Sequence, residues 1–307
     1  MKETTKGHIS ALITIFIWGT AFVSTRVLLT DFQPIEIIFY RFTIGLLVLM
    51  VAYPRRLKGT NKKEELMFAA AGLCGVVLYF LLENIALMYT AASNVGVIIS
   101  VSPFFTALLA NWLLDGEKLN SNFFIGFIAA IIGIALISFN GITVLALNPI
   151  GDVLALSAAI VWAVYSILLR KIGGYGYNTV QTTRRIFFYG LIILAPALFF
   201  FQFEWGLERF AQPSNTLNIL FLGLGASALC FATWSLATRT LGAVKTSIYI
   251  YLVPVITVAA SVIVLAERIT WMSALGTLLA LTGLFISGKK TKEKLCPPGK
   301  GRGLDEG

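Results

Sequence analysis

Apolar residues along this chain gather into ten stretches, each near the roughly 20 helical residues that cross a hydrocarbon layer of about 30 Å. They cover residues 8–29, 35–53, 65–89, 92–114, 122–140, 150–169, 178–201, 216–238, 244–265 and 270–288. Polar side chains are sparse inside these stretches, and most of the charged residues lie between them. The pattern predicts ten membrane-spanning helices, because backbone groups in lipid must be hydrogen-bonded within their own segment. The first stretch follows Lys2 and Lys6, as the core of a secretory signal would. It is longer than the roughly 7–15 apolar residues of such a core, and no clear small-residue cleavage site follows. It is therefore expected to be a span.

The ten stretches repeat. Trp18, Arg26 and Arg41 recur as Trp162, Arg170 and Arg185 at a shift of 144. Pro103 recurs as Pro254 at a shift of 151, and Gly126 and Gly133 return as Gly276 and Gly283 at 150. The shift changes only between spans 7 and 8, in a loop that tolerates insertion. Fixed-offset self-similarity marks a duplicated architecture. The first repeat is expected at 1–145 and the second at 146–288. A polar tail at 289–307, with Pro297, Pro298 and several glycines, is expected to be disordered.

Charge orients the repeats. With the N-terminus inside, 18 Lys and Arg fall on the cytoplasmic side and two, Arg209 and Arg268, outside. That skew follows the positive-inside rule and places both termini in the cytoplasm of a multi-pass protein of the inner (plasma) membrane. Five spans per half is an odd number, so the second half must enter from the opposite face. The predicted fold is an all-α integral membrane protein of ten helices in two inverted five-helix repeats. Such transporters bind substrate near the bilayer midplane, where the repeats meet.

Composition narrows the functions. Hydrophobic residues make up 57% of the 307 and charged ones 13%, against roughly 45–50% and 25% in soluble proteins. The net charge of +9 lies in loops on one side, so the expected partner is a bilayer and not nucleic acid. His8 is the only histidine, and Cys74, Cys230 and Cys296 are scattered. No metal site of usual ligand type, disulfide framework or cofactor is expected. No GxxxxGK[ST] run occurs, so ATP hydrolysis is not indicated. Energy must come from gradients, exchange or downhill flow. The glycine pairs of spans 3, 5, 8 and 10 are read as close helix packing, which in lipid depends on small residues.

Within the spans, Glu83 is the most informative residue, because a carboxylate at that depth costs roughly 2.5–3.5 kcal/mol on insertion scales. Helical spacing places Val76, Tyr79, Phe80, Leu87 and Thr90 near its face. It reads as a site for a coupling proton or a substrate ammonium, or else as a structural partner. Arg41 would clamp a carboxylate through its fork of donors, or anchor at the headgroups; for Arg184 and Arg185 anchoring is the better reading. Trp18 and Trp162 lie deep in their spans, away from the interfaces where Trp concentrates. Cavity lining is expected of Trp18, Tyr79 and Trp234, since mixed aromatic and hydroxyl walls suit an amphipathic solute. Pro103 and Pro254 fall mid-span, each removing a backbone hydrogen bond, and are expected as kinks on which the repeats bend.

Several motifs carry a resemblance. Trp18 and Gly19 in span 1, Arg41 and Phe42 in span 2, and ALMYTAASN leading into SPFFTALLANWLLDGEKL resemble the EamA family of the drug/metabolite transporter superfamily. The second half answers with ATRTLGAVKTSIYIYLVPVITVAASVIVLAERI, ending in Glu267 and Arg268 as the first ends in Glu117 and Lys118. The match runs over nearly the whole chain and looks like the group of YddG-like amino-acid and metabolite exporters. It implies two inverted repeats around a central cavity with alternating access, and it says little of the substrate. Thr240 stands where Tyr89 does, and Lys245 where Asn94 does, so symmetry assigns no second ligand site.

The expectation is a secondary or exchange transporter, not an enzyme, that exports a small amphipathic metabolite, an amino acid or amine, with protons as a candidate coupling ion. Uptake of a quaternary amine is the alternative. A polytopic membrane enzyme or a channel is the rival of another class, disfavoured by the absence of a catalytic cluster near an interface and of repeated polar rings.

Overall fold

The computed structural model describes residues 3–114, 121–139, 149–200, 203–266 and 270–287. The tail at 289–307, with Cys296, and the helix-end pairs Glu117 and Lys118, Glu267 and Arg268 lie outside them. Among the described residues every regular element is a helix, with no strand. Eight helices are long and apolar enough to span a membrane. We label the first four α1 (Glu3–Leu28), α2 (Pro34–Ala52), α3 (62–89) and α4 (92–113). Ser121–Phe139 forms α5, and the second half supplies α6 (Pro149–Gly173), α7 (Thr179–Phe200), α8 (213–241), α9 (243–265) and α10 (Trp271–Ser287). The described apolar cores of α5 and α10 are shorter, Phe124–Gly133 and Ala274–Gly283. Ten helices thus stand where ten were predicted.

Local sequence sets the helix starts. Asn61 opens α3 with a capping box, its side chain accepting from the Glu64 amide at 3.0 Å while Glu64 accepts from the Asn61 amide at 3.0 Å. Pro34 opens α2 at a position where its missing N–H costs nothing. Gly242, at φ 93°, makes the turn from α8 into α9, a backbone region that favours glycine.

The duplication appears as pseudo-symmetric packing. Where α1 packs on α8 and α9, its counterpart α6 packs on α3 and α4. Likewise α2 meets α8 as α7 meets α3, and α5 and α10 cross each other. At that crossing a Cβ on Gly133 would lie 2.5 Å from the Gly276 carbonyl and the Ala280 amide, and Gly283 faces Gly126 and Ala130 in the same way. Gly72 opposes the backbone of Gly190 across α3 and α7. The glycines are therefore packing residues, as expected of helices whose association in lipid rests on close approach.

Two features interrupt the helices in matching places. Helix α3 is π-helical over Leu73–Leu78, and α8 over Phe221–Leu229. Helices α4 and α9 break near their prolines. Ser100 and Val101 separate Ala92–Ile99 from Ser102–Leu113, and a 3-10 stretch at Ile248–Leu252 precedes Val253–Leu265. Pro103 and Pro254 each occupy the second position of the later segment. The expected kinks are thus helix restarts, in which proline needs no partner for its nitrogen.

Candidate functional site

One cavity lies among α1, α2, α3, α4, α6 and α9. Its walls hold Trp18, Arg41, Tyr79, Phe80, Glu83 and Trp162, with Ala21, Phe22, Ile99, Ile250 and Val253 completing them. Four of the residues singled out in the sequence, Trp18, Arg41, Tyr79 and Glu83, therefore meet at one place. The volume open to water centres is about 30 Å³, enough for one or two waters. A larger solute needs the walls to move apart.

The π-helical segment at Leu73–Leu78 immediately precedes Tyr79, Phe80 and Glu83. An i→i+5 segment turns the following residues relative to an unbroken α-helix, and such segments are common at functional sites. Here it presents all three side chains to the cavity. Glu83 is 4% exposed and Arg41 1%. The Tyr79 hydroxyl, one turn earlier, faces the Glu83 carboxylate. Arg41 donates from Nε to the Ser227 hydroxyl at 3.0 Å and lies 4.2 Å over the Phe80 ring. Among the described residues no nitrogen of Arg41 comes within 4.0 Å of a carboxylate oxygen. The cavity thus holds a buried cation and a buried anion that do not close on each other.

Aromatic rings fix the remaining wall. Trp18 meets Trp162 edge-on at 5.1 Å, and Tyr79 lies 4.7 Å from Trp162. Trp18 is held by a 2.9 Å hydrogen bond from its indole to the Ala226 carbonyl. The Trp162 indole N–H, on a residue 3% exposed, finds no acceptor. Trp234 is not among the lining residues: it packs 5.1 Å from Trp18 and 6.2 Å from Trp162, behind them. Trp162 lines the cavity instead, and in sequence it carries the same signal as Trp18, a deep position at a shift of 144.

Polar clusters tie the two repeats together at both ends of the bundle. At one end Arg209, beyond α7, grips the fully buried Glu36 of α2 at 2.7 and 3.1 Å and donates to the Asp31 carbonyl. Glu36 holds the Arg209 guanidinium charged still more firmly than usual. At the other end Arg185 of α7 forks onto Glu65 of α3 at 2.7 and 2.9 Å, with the Tyr189 hydroxyl on the same carboxylate. Arg184 donates to the carbonyls of Tyr53 and Arg55, each at 2.7 Å. Arg185 is thus tied into an ion pair near the end of its span. Arg26 caps the Leu87 carbonyl at the end of α3. Cys74 and Cys230 are free thiols among packed helices.

The EamA-like transporter family matches the chain twice, over residues 5–139 and 149–288. The chain belongs to the EamA-like transporter family. An uncharacterized transporter of Archaeoglobus fulgidus is 27% identical over 290 residues, covering 93% of this chain and 98% of its own. A protein of Streptantibioticus cattleyicolor, named as a probable terminal-alkyne amino-acid exporter, is 25% identical over 94% of this chain and 96% of its own. A crystal structure 19% identical superposes with a TM-score of 0.70, over 92% of this chain and 97% of the other, which shows the fold. This EamA-family chain is thus a multi-pass membrane transporter for a small molecule, not an enzyme. Its family match is itself twofold, like the packing.

Proposed function

We propose that the chain exports a small zwitterionic metabolite, an amino acid with an apolar side chain, by alternating access at the cavity of Arg41 and Glu83. One observation carries the reading: two buried, opposite charges face one aromatic-walled cavity without pairing. An α-amino acid supplies an ion-pair partner to each, a carboxylate to Arg41 and an ammonium to Glu83. The unpartnered Trp162 N–H, buried in the closed wall, would become a further donor to the carboxylate when the walls part. Leaving a buried charge unpaired costs several kcal/mol, so a ligand that satisfies both gains what the empty site lacks. Trp18, Trp162 and Tyr79 would hold the apolar side chain.

In this reading the repeats at 1–145 and 146–288 rock about the restarts at Pro103 and Pro254. The clusters at Glu36 and Arg209, and at Glu65 and Arg185, separate alternately to open the cavity to either face. The unpaired Glu83 carboxylate of the empty site takes up either the substrate ammonium or a coupling proton. The protein sits in the plasma membrane with both termini cytoplasmic, and the exporter name of the Streptantibioticus relative supports the direction.

Counterflow in proteoliposomes tests this. Apolar amino acids should exchange saturably, and decarboxylated analogues should not. Wild-type exchange rates for Glu83→Gln under a proton gradient would remove Glu83 from the mechanism. A second reading, uptake of a quaternary amine, is favoured by the Trp18, Trp162, Tyr79 and Phe80 rings beside one carboxylate. Arg41 in the same cavity opposes a bare cation. Competition by tetramethylammonium stronger than by amino acids would decide for it.

A further inference from the structure

A second cavity opens on the outside of the bundle, between the end of α2 and the start of α7. It measures about 510 Å³, and its lining brings Met50, Leu57 and Phe188 together with Arg56, Arg184 and Arg185. Met50 and Phe188 are 41% and 40% exposed, and Val51 beside them 83%. In a spanning protein those apolar surfaces face acyl chains, and the arginines, at the ends of two spans, stand at headgroup level.

The charges there are not balanced. Arg185 is neutralised by Glu65. Arg184 is oriented only by the Tyr53 and Arg55 carbonyls, and Arg56 is exposed and has no ion pair among the described residues. Two guanidinium groups with no carboxylate partner among the described residues thus line the same cavity as exposed apolar side chains. Gln181, donating to the Arg55 carbonyl at 3.0 Å, helps hold that loop in place.

We propose that this crevice is a binding site for an anionic phospholipid, its phosphate between Arg56 and Arg184 and its acyl chains along Met50 and Phe188. Guanidinium forks match phosphate oxygens, and basic pockets between spans on the cytoplasmic side suit anionic headgroups. A free phosphate would satisfy the arginines but leave the apolar wall unused. The bound lipid would clamp the end of α2 to α7, across the repeats and beside the Glu65–Arg185 pair. The choice of the inner leaflet rests on the orientation proposed above; the site itself rests only on the bundle lying in a bilayer.

The experiment uses full-length protein in phosphatidylcholine nanodiscs with a few per cent of photoactivatable phosphatidylglycerol or photoactivatable phosphatidylcholine. Phosphatidylglycerol should label peptides from residues 50–57 and 181–188 several-fold more than phosphatidylcholine does. Arg56→Gln, which removes no side-chain bond within the fold, should cut that labelling about fivefold, the value of about one basic residue near an anionic surface. Arg184→Gln should do likewise, with its melting temperature recorded because it also releases two carbonyls. Equal labelling by both lipids, or full labelling of Arg56→Gln, would overturn the proposal. So would displacement by millimolar inorganic phosphate, which would make this a soluble-anion site. No flux is measured, so a failure here leaves the amino-acid reading standing, and the reverse also holds.

Discussion

Arg41 and Arg185 occupy the same place in the two repeats, yet their surroundings differ in kind. Arg185 meets a carboxylate with both prongs of its fork, at 2.7 and 2.9 Å, and a third of its side chain is exposed. Arg41 is buried, has one 3.0 Å bond to a neutral hydroxyl and lies over the Phe80 ring. A guanidinium carries five N–H donors, and only one of those on Arg41 has a partner among the described residues. The duplicated scaffold thus supplies one arginine that closes a helix pair and one held for something else. A parallel asymmetry separates Glu83 from Trp234, which stands at the matching offset of 151. Where the repeats agree they describe packing, as at Gly133 and Gly283, or the aromatic wall, as at Trp18 and Trp162. The cavity has its charges where the residues differ, as at Glu83 and Trp234, or where only their surroundings do, as at Arg41 and Arg185.

The largest effect should come from breaking this comparison at Arg41. Arg41→Gln removes the charge-assisted bond to a substrate carboxylate, worth about 1.5–3 kcal/mol, or roughly tenfold to 150-fold in affinity. Arg185→Gln should leave substrate affinity within about twofold. Binding measured by tryptophan fluorescence on purified protein reads both, and equal losses in the two variants would erase the distinction.

Glu83→Gln should follow. A neutral amide still accepts a hydrogen bond from an ammonium, so affinity for a zwitterion should fall by about tenfold, in line with a charged hydrogen bond replaced by a neutral one. Acceleration of flux by a pH gradient should disappear, because the amide has no proton to exchange. Persistence of that acceleration would place coupling elsewhere.

A smaller effect belongs to the ion pair on the other side of the comparison. Glu65 and Arg185 are partly exposed, at 21% and 34%, so solvent screens them and the pair contributes on the order of 1 kcal/mol or less. Glu65→Gln should lower the melting temperature by about 2–4 °C with substrate affinity retained. A loss of affinity matching that of Arg41→Gln would mean the two clusters are not separable.

Much of the architecture was legible in sequence because lipid imposes it. Span length follows from bilayer thickness, and the shifts of 144 to 151 exposed the duplication. Glu83 and Arg41 stood out because a charge inside a span needs a reason. The π-helical segments at Leu73–Leu78 and Phe221–Leu229 were not legible. Spans that are apolar on every side carry no periodicity that an inserted residue would break, though Gly72, Gly75, Gly223 and Gly225 sit at both places. Nor was the Glu65–Arg185 pair, since residues 120 apart are joined only by the helix crossing of α3 and α7. The proline restarts were read as kinks because sequence shows the missing donor but not whether the helix continues past it.

The tryptophans carry the finest version of the comparison. Trp162 lines the cavity with its indole N–H free, whereas Trp234 packs behind Trp18 with its own N–H also unpartnered. If the free N–H of Trp162 serves a ligand, Trp162→Phe should weaken binding of a carboxylate substrate by roughly three- to tenfold, the worth of one neutral hydrogen bond. Trp234→Phe, with the same loss of ring area and of a donor, should change binding by less than about twofold and act on stability instead. Equal effects on binding would show that position relative to the cavity wall does not matter, and would make the tryptophan cluster a packing unit.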